Sequence, residues 1–461
     1  MSVQKIVILD GTRSEDKGLD AILLLLLEVL YQNKNNTVNV EKFTLREIKM
    51  HHCIGCFNCW LKTPGKCIHR DAGIQILEAI LHCDVIVLFT PVVFGGYSSE
   101  LKKIIDRFLP LALPFFSKVN GETHHPPRYL KFPRIVGIGV HSSPAQKLSK
   151  CFKTLIGRNA VNFAQSPYSV DVLNSSSDSE TLRSQLTDLL ARREELPWSE
   201  ELDTLAGNLI ATTPHILTSA QRVLLITGSP KIKSPSTSKV LGESLLKKLQ
   251  KHGCNTSSLT LTSKLLSETS RSVLCSAVDK AETLLISFPL YVDTLPFLVT
   301  KAFEIISQHR RTTKTARPQR LVVLVNNGYP EAHHNTVALE ICRLFAQECG
   351  IRWSGGVALG AGEVLLSGKP ITGFRGLKGL WRPPLYYLDQ ALNLIAAALA
   401  DGYPVPVKAA QLIARKPIPL ISINLWHWMY INVGEKIWEN EAVKNGISKQ
   451  AMFGMPYLKD K

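Results

Sequence analysis

The apolar positions of the chain fall into short runs separated by polar turns. Residues 5–10 (K-I-V-I-L-D) form a near-continuous apolar run, followed by a short polar loop and an apolar helical stretch ending at Tyr31. Residues 38–43 predict a second strand. Beyond a cysteine-rich loop come a helix over 74–81, a strand over 84–90, a helix over 100–108 and a strand over 134–141. Continuous apolar strands alternating with helices predict a parallel sheet covered on both faces.

The pattern then repeats. Strands over 222–229, 283–289 and 320–327 lead into helices over 239–252, 294–308 and 331–349. Gly11 matches Gly228 at an offset of 217, whereas Pro91 matches Pro289 at 198, so the second copy is 19 residues shorter there. That interval is where the first copy carries its cysteine loop. The expected architecture is α/β: two tandem doubly wound parallel-sheet domains plus a C-terminal helical extension. The expected boundaries are 1–195 for the domain with the cysteine loop, 196–220 for a linker, 221–400 for the second domain and 401–461 for the extension. The aromatic-rich stretch of that extension, I-N-L-W-H-W-M-Y-I-N, reads as a helix packed on the second domain or at a subunit interface.

Composition narrows the class. A chain of 461 residues with 45% apolar and 20% charged residues is that of a soluble globular protein of two or more domains. The N-terminus runs straight into a strand with no secretory pattern. The longest apolar runs, 21–27 and 420–431, fall short of the roughly 18–20 residues that span a bilayer. We therefore expect a cytoplasmic protein without a transmembrane segment, in which clustered thiols do metal or redox work. The net charge of +16 invites a nucleic-acid reading. The densest basic stretch, 309–320, lies between a helix and a strand, where a solvated loop explains it. No zinc-finger spacing, RNA-binding aromatic motif or basic zipper accompanies it, so no nucleic-acid partner is expected.

In an open parallel sheet, ligands bind outside the carboxyl ends of the strands. After its first strand the second copy reads T-G-S-P-K-I-K-S-P-S-T-S-K. There Ser229, Lys231, Ser236, Thr237 and Ser238 suit a phosphate cradle before a helix N-terminus; an ordinary capped turn is the alternative. The first copy keeps Gly11, Thr12 and Arg13 but adds Glu15 and Asp16, which oppose an anion. After the third strand the strengths reverse. The first copy has Pro91, Val92, Phe94 and Gly95 in a glycine-shaped turn, while the second has Pro289, Leu290 and Tyr291 with less glycine. His141, ending the fourth strand, lies on the same edge and reads as structural.

Four of the ten cysteines, Cys53, Cys56, Cys59 and Cys67, follow the spacing C-x2-C-x2-C-x7-C. Such compact runs converge on iron–sulfur clusters. A thiol loop without metal or a redox-active C-x-x-C pair also fits. Zinc fits less well, because its sites more often use two separated pairs. His51, His52 and His69 flank the loop and read as solvated. No Ser-His-Asp, paired-carboxylate or metallohydrolase arrangement competes.

Residues 90–107 (T-P-V-V-F-G-G-Y-S-S-E-L-K-K-I-I-D-R) and 53–67 (C-I-G-C-F-N-C-W-L-K-T-P-G-K-C) together resemble the NADPH-dependent FMN reductase superfamily. Within it they resemble the iron–sulfur flavoproteins. The resemblance covers residues 5–115 well and 222–310 more loosely. It implies a flavodoxin-like fold in each copy, FMN as cofactor, NAD(P)H or a protein as electron donor, and dimers or tetramers. It also implies that residues 91–97 line the isoalloxazine ring and that 229–238 form the phosphate loop. The first copy departs from the phosphate-loop pattern and the second from the ring loop. The expected function is an FMN-dependent NAD(P)H oxidoreductase or electron-transfer flavoprotein. Electrons would pass between FMN and a 4Fe-4S cluster in the first domain, with a small-molecule or protein acceptor. The rival expectation is a non-catalytic flavodoxin-like scaffold or cysteine-based redox sensor.

Overall fold

The computed structural model of the chain describes residues 3–32, 37–198, 221–231, 236–313, 318–366, 382–413 and 423–458, with positions 202, 205, 206, 209, 211 and 371. Most of the expected linker, residues 232–235 of the phosphate loop, 314–317 of the basic stretch and 414–422 of the extension lie outside the described residues. The chain divides into two compact units: Met1–Glu201 together with Glu435–Lys461, and Leu202–Gly434.

The first unit runs β1 (Gln4–Asp10), α1 (Asp20–Tyr31), β2 (Val38–Thr44), α2 (Asn58–Leu61), α3 (Gly73–Leu81), β3 (Val85–Pro91) and α4 (Ser99–Ile105). A short hairpin of β4 (Ser117–Val119) and β5 (Glu122–His124) follows, then β6 (Arg134–His141), α5 (Gln146–Asn162), β7 (Tyr168–Asn174) and α6 (Ser179–Ala191). Its parallel sheet has the order β2-β1-β3-β6-β7, which is the flavodoxin-like winding with a switch point between β1 and β3. Every residue of central β3 is buried, which is why that strand reads as an unbroken apolar run. Ile8, Phe89 and Ile138 of the sheet pack against Leu26 and Leu186 of the covering helices.

The second unit runs β8 (Arg222–Thr227), α7 (Thr237–Lys251), β9 (Asn255–Thr260), α8 (Arg271–Lys280), β10 (Thr283–Pro289), α9 (Phe297–Thr312) and β11 (Arg320–Asn326). Then come α10 (Thr336–Glu348), β12 (Arg352–Leu359), α11 (Gly362–Leu366), α12 (Arg382–Ala400), α13 (Val407–Ile413) and α14 (Ile423–Lys444). The sheet order β12-β11-β10-β8-β9 is the first winding read from the other end. The chain is therefore a tandem pair of flavodoxin-like α/β domains.

β4, β5, β7, β9 and β12 have no counterpart among the expected strands. β9 (N-T-S-S-L-T) is polar and largely exposed; it is an edge strand held by backbone pairing with β8. β7 carries its buried side chains in an alternating polar setting. The end of the expected extension also differs: residues from Glu435 onward group with the first unit, whose aromatic cluster they complete. Among the described residues no helix is long and apolar enough to cross a membrane.

Candidate functional site

In the first unit the loops after β1 and β3 meet at the carboxyl edge of the sheet. The Gly11 N–H donates to the Phe89 carbonyl at 2.8 Å, and the Ser98 hydroxyl donates to the Gly11 carbonyl at 2.5 Å. A Cβ on Gly11 would stand 2.6 Å from Leu101 Cβ, so the close approach requires glycine. The loop after β1 is filled by the protein's own carboxylates. Buried Asp10 accepts the Thr12 N–H at 3.0 Å and the Thr12 hydroxyl at 2.6 Å. Asp16 accepts the Arg13 N–H at 2.9 Å and two guanidinium bonds at 2.8 Å. Arg46 adds a hydrogen bond to the Thr12 hydroxyl and an ion pair to Asp10 at 3.6 Å. The donors of Thr12 and Arg13 that an anion would use are thus already committed, and this loop does not fit a phosphate.

The loop after β3 is a tight turn. Val93 and Gly96 bridge, and both central residues have positive φ, 53° at Phe94 and 82° at Gly95. The Val92 N–H donates to the Val140 carbonyl at 2.9 Å, which ties Pro91 and Val92 to the end of β6. Ser98 caps α4 by accepting the Leu101 N–H. His141 accepts the Ser143 N–H at 3.0 Å, which orients its ring at the end of β6.

The second unit repeats this turn without glycine. Tyr291 bridges Thr294, with φ of 45° at Val292 and 59° at Asp293. Pro289 ends β10, and the Leu290 N–H donates to the Asn326 carbonyl at 2.7 Å. Beside them, Gly228 donates to the Ser287 carbonyl at 2.8 Å, and a Cβ there would meet Val299 Cγ2 at 2.2 Å. Ser236 caps α7 through the Lys239 N–H, and Ser236 and Ser238 share a hydrogen bond at 3.2 Å. Ser229 accepts the Lys231 N–H at 3.3 Å. The loop after β12 closes over this one: Thr237 donates to the Gly362 carbonyl at 3.2 Å, and Lys231 pairs with Glu363 at 3.1 Å. Here no carboxylate takes the first-turn N–H groups of α7 among the described residues, and these hydroxyls and N–H groups fit a phosphate.

The four cysteines line one small pocket of the first unit with His69, Asp106 and Arg107. Left-handed Gly55 and Phe57 bend the loop into place, with φ of 63° and 54°. Burial pushes the Cys53 thiol up to about 12, and neighbouring Asp106, Cys67 and Cys56 add to this. Burial, with the other three thiols, also holds Cys59 well above its ordinary value. Protonated thiols are poor nucleophiles, whereas a bound cation deprotonates them. Among the described residues no three of these sulfurs lie within 4.8 Å of one another. A single tetrahedral zinc would hold its thiolates about 3.8 Å apart, while a cluster spreads one thiolate over each iron.

The pocket wall was not legible in the sequence. Arg107 is buried; it pairs with Asp71 at 2.5 Å and donates to the His51 and His69 carbonyls. Its guanidinium lies where a Gly73 Cβ would be, 2.5 Å away. Burial opposes the Asp71 charge, but the His51 N–H and Arg107 outweigh it and lower its pKa. His51 and His69 stack at 4.7 Å. Trp60 donates to the Ala112 carbonyl at 3.0 Å and packs against Phe57, His125 and, from the C-terminal segment, Trp438.

Residues 4–121 match the model of the NADPH-dependent FMN reductase family. An iron–sulfur flavoprotein of Methanocaldococcus jannaschii is 37% identical over 100 residues, covering 21% of this chain and 51% of that protein. One from Archaeoglobus fulgidus is 31% identical over 81 residues, covering 18% and 36%. The chain thus spans about half or less of the curated relatives it matches. Among solved structures, an NAD(P)H:quinone oxidoreductase from Methanothermobacter marburgensis is 15% identical, covering 38% of this chain and 98% of that one with a TM-score of 0.28. An FMN-dependent NADH-azoreductase from Bacillus anthracis is 12% identical, covering 39% and 99%, also with a TM-score of 0.28. The chain is similar to the NADPH-dependent FMN reductase family over residues 4–121, and to iron–sulfur flavoproteins over about a fifth of its length.

Proposed function

We propose that this chain is an FMN-dependent NAD(P)H oxidoreductase that transfers electrons through a 4Fe-4S cluster. Cys53, Cys56, Cys59 and Cys67 of the first domain hold the cluster, and Ser229, Ser236, Thr237 and Ser238 of the second anchor the flavin phosphate. The observation that carries the reading is the shared pocket of the four cysteines, in a chain whose curated relatives are iron–sulfur flavoproteins. The division of labour is supported by the first copy's filled loop, where Asp10 and Asp16 take the donors of Thr12 and Arg13. FMN, when bound, accepts a hydride from NAD(P)H and releases electrons singly. The chain's own part is to position: in the second unit the α7 N-terminus would balance phosphate charge, and the turn backbone at 291–294 of the same unit would line the flavin ring. The acceptor is a small molecule or a protein, and the protein works as a homo-oligomer in the cytoplasm, where its thiols stay reduced.

The absorption spectrum of anaerobically purified protein, before and after dithionite, tests this with iron and FMN assays. Flavin bands, a bleachable visible shoulder and four irons per chain are expected. Flavin without iron, also after reconstitution, would leave an FMN reductase with a structural cysteine loop. A colourless protein that takes up no FMN would overturn the enzyme reading in favour of a scaffold, the reading that the filled first loop favours.

A further inference from the structure

We propose that Tyr457, near the end of the chain, donates its hydroxyl to sulfur of the group held by the cysteine loop, and that residues 454–457 shut this pocket from solvent. The donor half rests on the cluster reading above; the closure half does not. Tyr457 is only 4% exposed, and its hydroxyl finds no hydrogen-bond partner among the described residues. Its backbone N–H reaches Tyr129 Oη at 3.4 Å, and its neighbour Pro456 packs against Gly65, two residues before Cys67. Buried hydroxyls without a partner are uncommon and call for an explanation. A second orphan stands at the cysteine pocket itself: Arg107 lines it, and its Nε has no acceptor among the described residues although its terminal nitrogens are all engaged. Two buried donors, the Tyr457 hydroxyl and Arg107 Nε, thus lack acceptors among the described residues. Thiolate and sulfide sulfur bound to iron would supply them, and hydrogen bonds to these sulfurs set a cluster's potential.

Closure follows from the packing of the segment. Gly65, two residues before Cys67, has φ of 79°, and a Cβ there would stand 2.5 Å from Pro456 Cδ. Arg128 holds the carbonyls of Met452 and Gly454 at 2.6 and 2.9 Å. Phe453 stacks on Phe115 at 4.8 Å. Tyr457 is thereby carried to the cysteines by the last turn of the chain.

Two measurements on the full chain separate the halves. In anaerobic protein, Tyr457→Phe should lower the cluster midpoint potential at unchanged iron content, because the lost donor had favoured the more negative reduced state. An unchanged potential would overturn the donor role. In iron-free, reduced protein, Gly65→Ala should raise the iodoacetamide modification rate of Cys53, Cys59 and Cys67 several-fold, with exposed Cys56 as the internal reference. Deletion of residues 454–461 is the second variant should Gly65→Ala fold poorly. Equal rates in variant and wild type would overturn closure. A wild-type protein that takes up no iron on reconstitution would sink the cluster reading and the donor role with it, while the modification rates still decide closure.

Discussion

Arg128 and Met452 lie 324 positions apart in the chain, yet Arg128 Nη1 donates to the Met452 carbonyl at 2.6 Å. The same guanidinium also holds the carbonyls of Pro110 and Ala112, at 2.8 and 3.3 Å. No carboxylate pairs with it among the described residues; burial lowers its pKa, and backbone oxygens face the charge. One side chain thus ties the C-terminal segment to the wall beside the cysteine loop.

Replacing Arg128 by Ala leaves several buried carbonyls unmatched, each costing about 1–3 kcal/mol. We expect a loss of about 3 kcal/mol in urea unfolding, and earlier cleavage around residue 455 in limited proteolysis. A variant as stable and as resistant as wild type would show that the segment is held by its aromatic contacts alone.

The two turns after the third strands share one geometry but not one composition. Gly95 and Val292 both occupy left-handed backbone, which costs a side-chain-bearing residue about 1–2 kcal/mol. Gly95→Val is therefore expected to destabilise the first domain by about that amount. Val292→Gly is expected to raise the melting temperature of the second, or leave it level despite the lost side chain. Thermal denaturation of both variants checks the asymmetry.

Flavin retention distinguishes the two phosphate loops. Arg13→Ala, in the loop already filled by Asp16, should leave the FMN content unchanged. Ser229→Asp, which places a carboxylate in the other loop, should lower it at least tenfold. Fluorimetric assay of flavin released on heating measures both, and loss of FMN in the Arg13 variant would contradict the assignment.

His125 supplies a pH dependence. Its ring packs against Trp60 and Phe116, and Nδ1 lies 2.8 Å from the Phe115 carbonyl. Burial lowers its pKa from 6.5 to about 4, with His124 contributing and the backbone carbonyl of Phe115 opposing. The unfolded chain therefore binds more protons between these values. The stability linked to His125 is fully present above pH 6.5 and is lost as pH falls towards 4, by an amount on the order of 3 kcal/mol. Urea melts at pH 7 and pH 5 should show this loss in wild type and a smaller one in His125→Gln.

Much of the fold was legible because its signals are local. β3 and β10 lie inside their sheets with both faces covered, so each must be an unbroken apolar run, and such a run needs no partner to be seen. Gly11 and Gly228 mark the same close approach in both copies, and the 19-residue difference between copies located the cysteine loop. β9 escaped because an edge strand is held by main-chain hydrogen bonds, which leave no mark on side-chain composition. The third-strand turn of the second copy looked weak for want of glycine, yet its backbone adopts the same path through Val292 and Asp293.

The chain's periodicity, its duplication and the spacing of Cys53, Cys56, Cys59 and Cys67 determined two parallel-sheet domains and one thiol-rich loop, since each depends on neighbours within a few residues. Only the tertiary structure decided that Asp10 and Asp16 fill the first phosphate loop, that Arg107 walls the cysteine pocket, and that Pro456 packs on the cysteine loop at Gly65. Asp10 and Asp16 reach donors only two and three positions away, yet which way they turn is set by packing. Arg107 meets Asp71, 36 positions off, and the C-terminal segment meets the loop across hundreds, contacts that local sequence pattern does not carry.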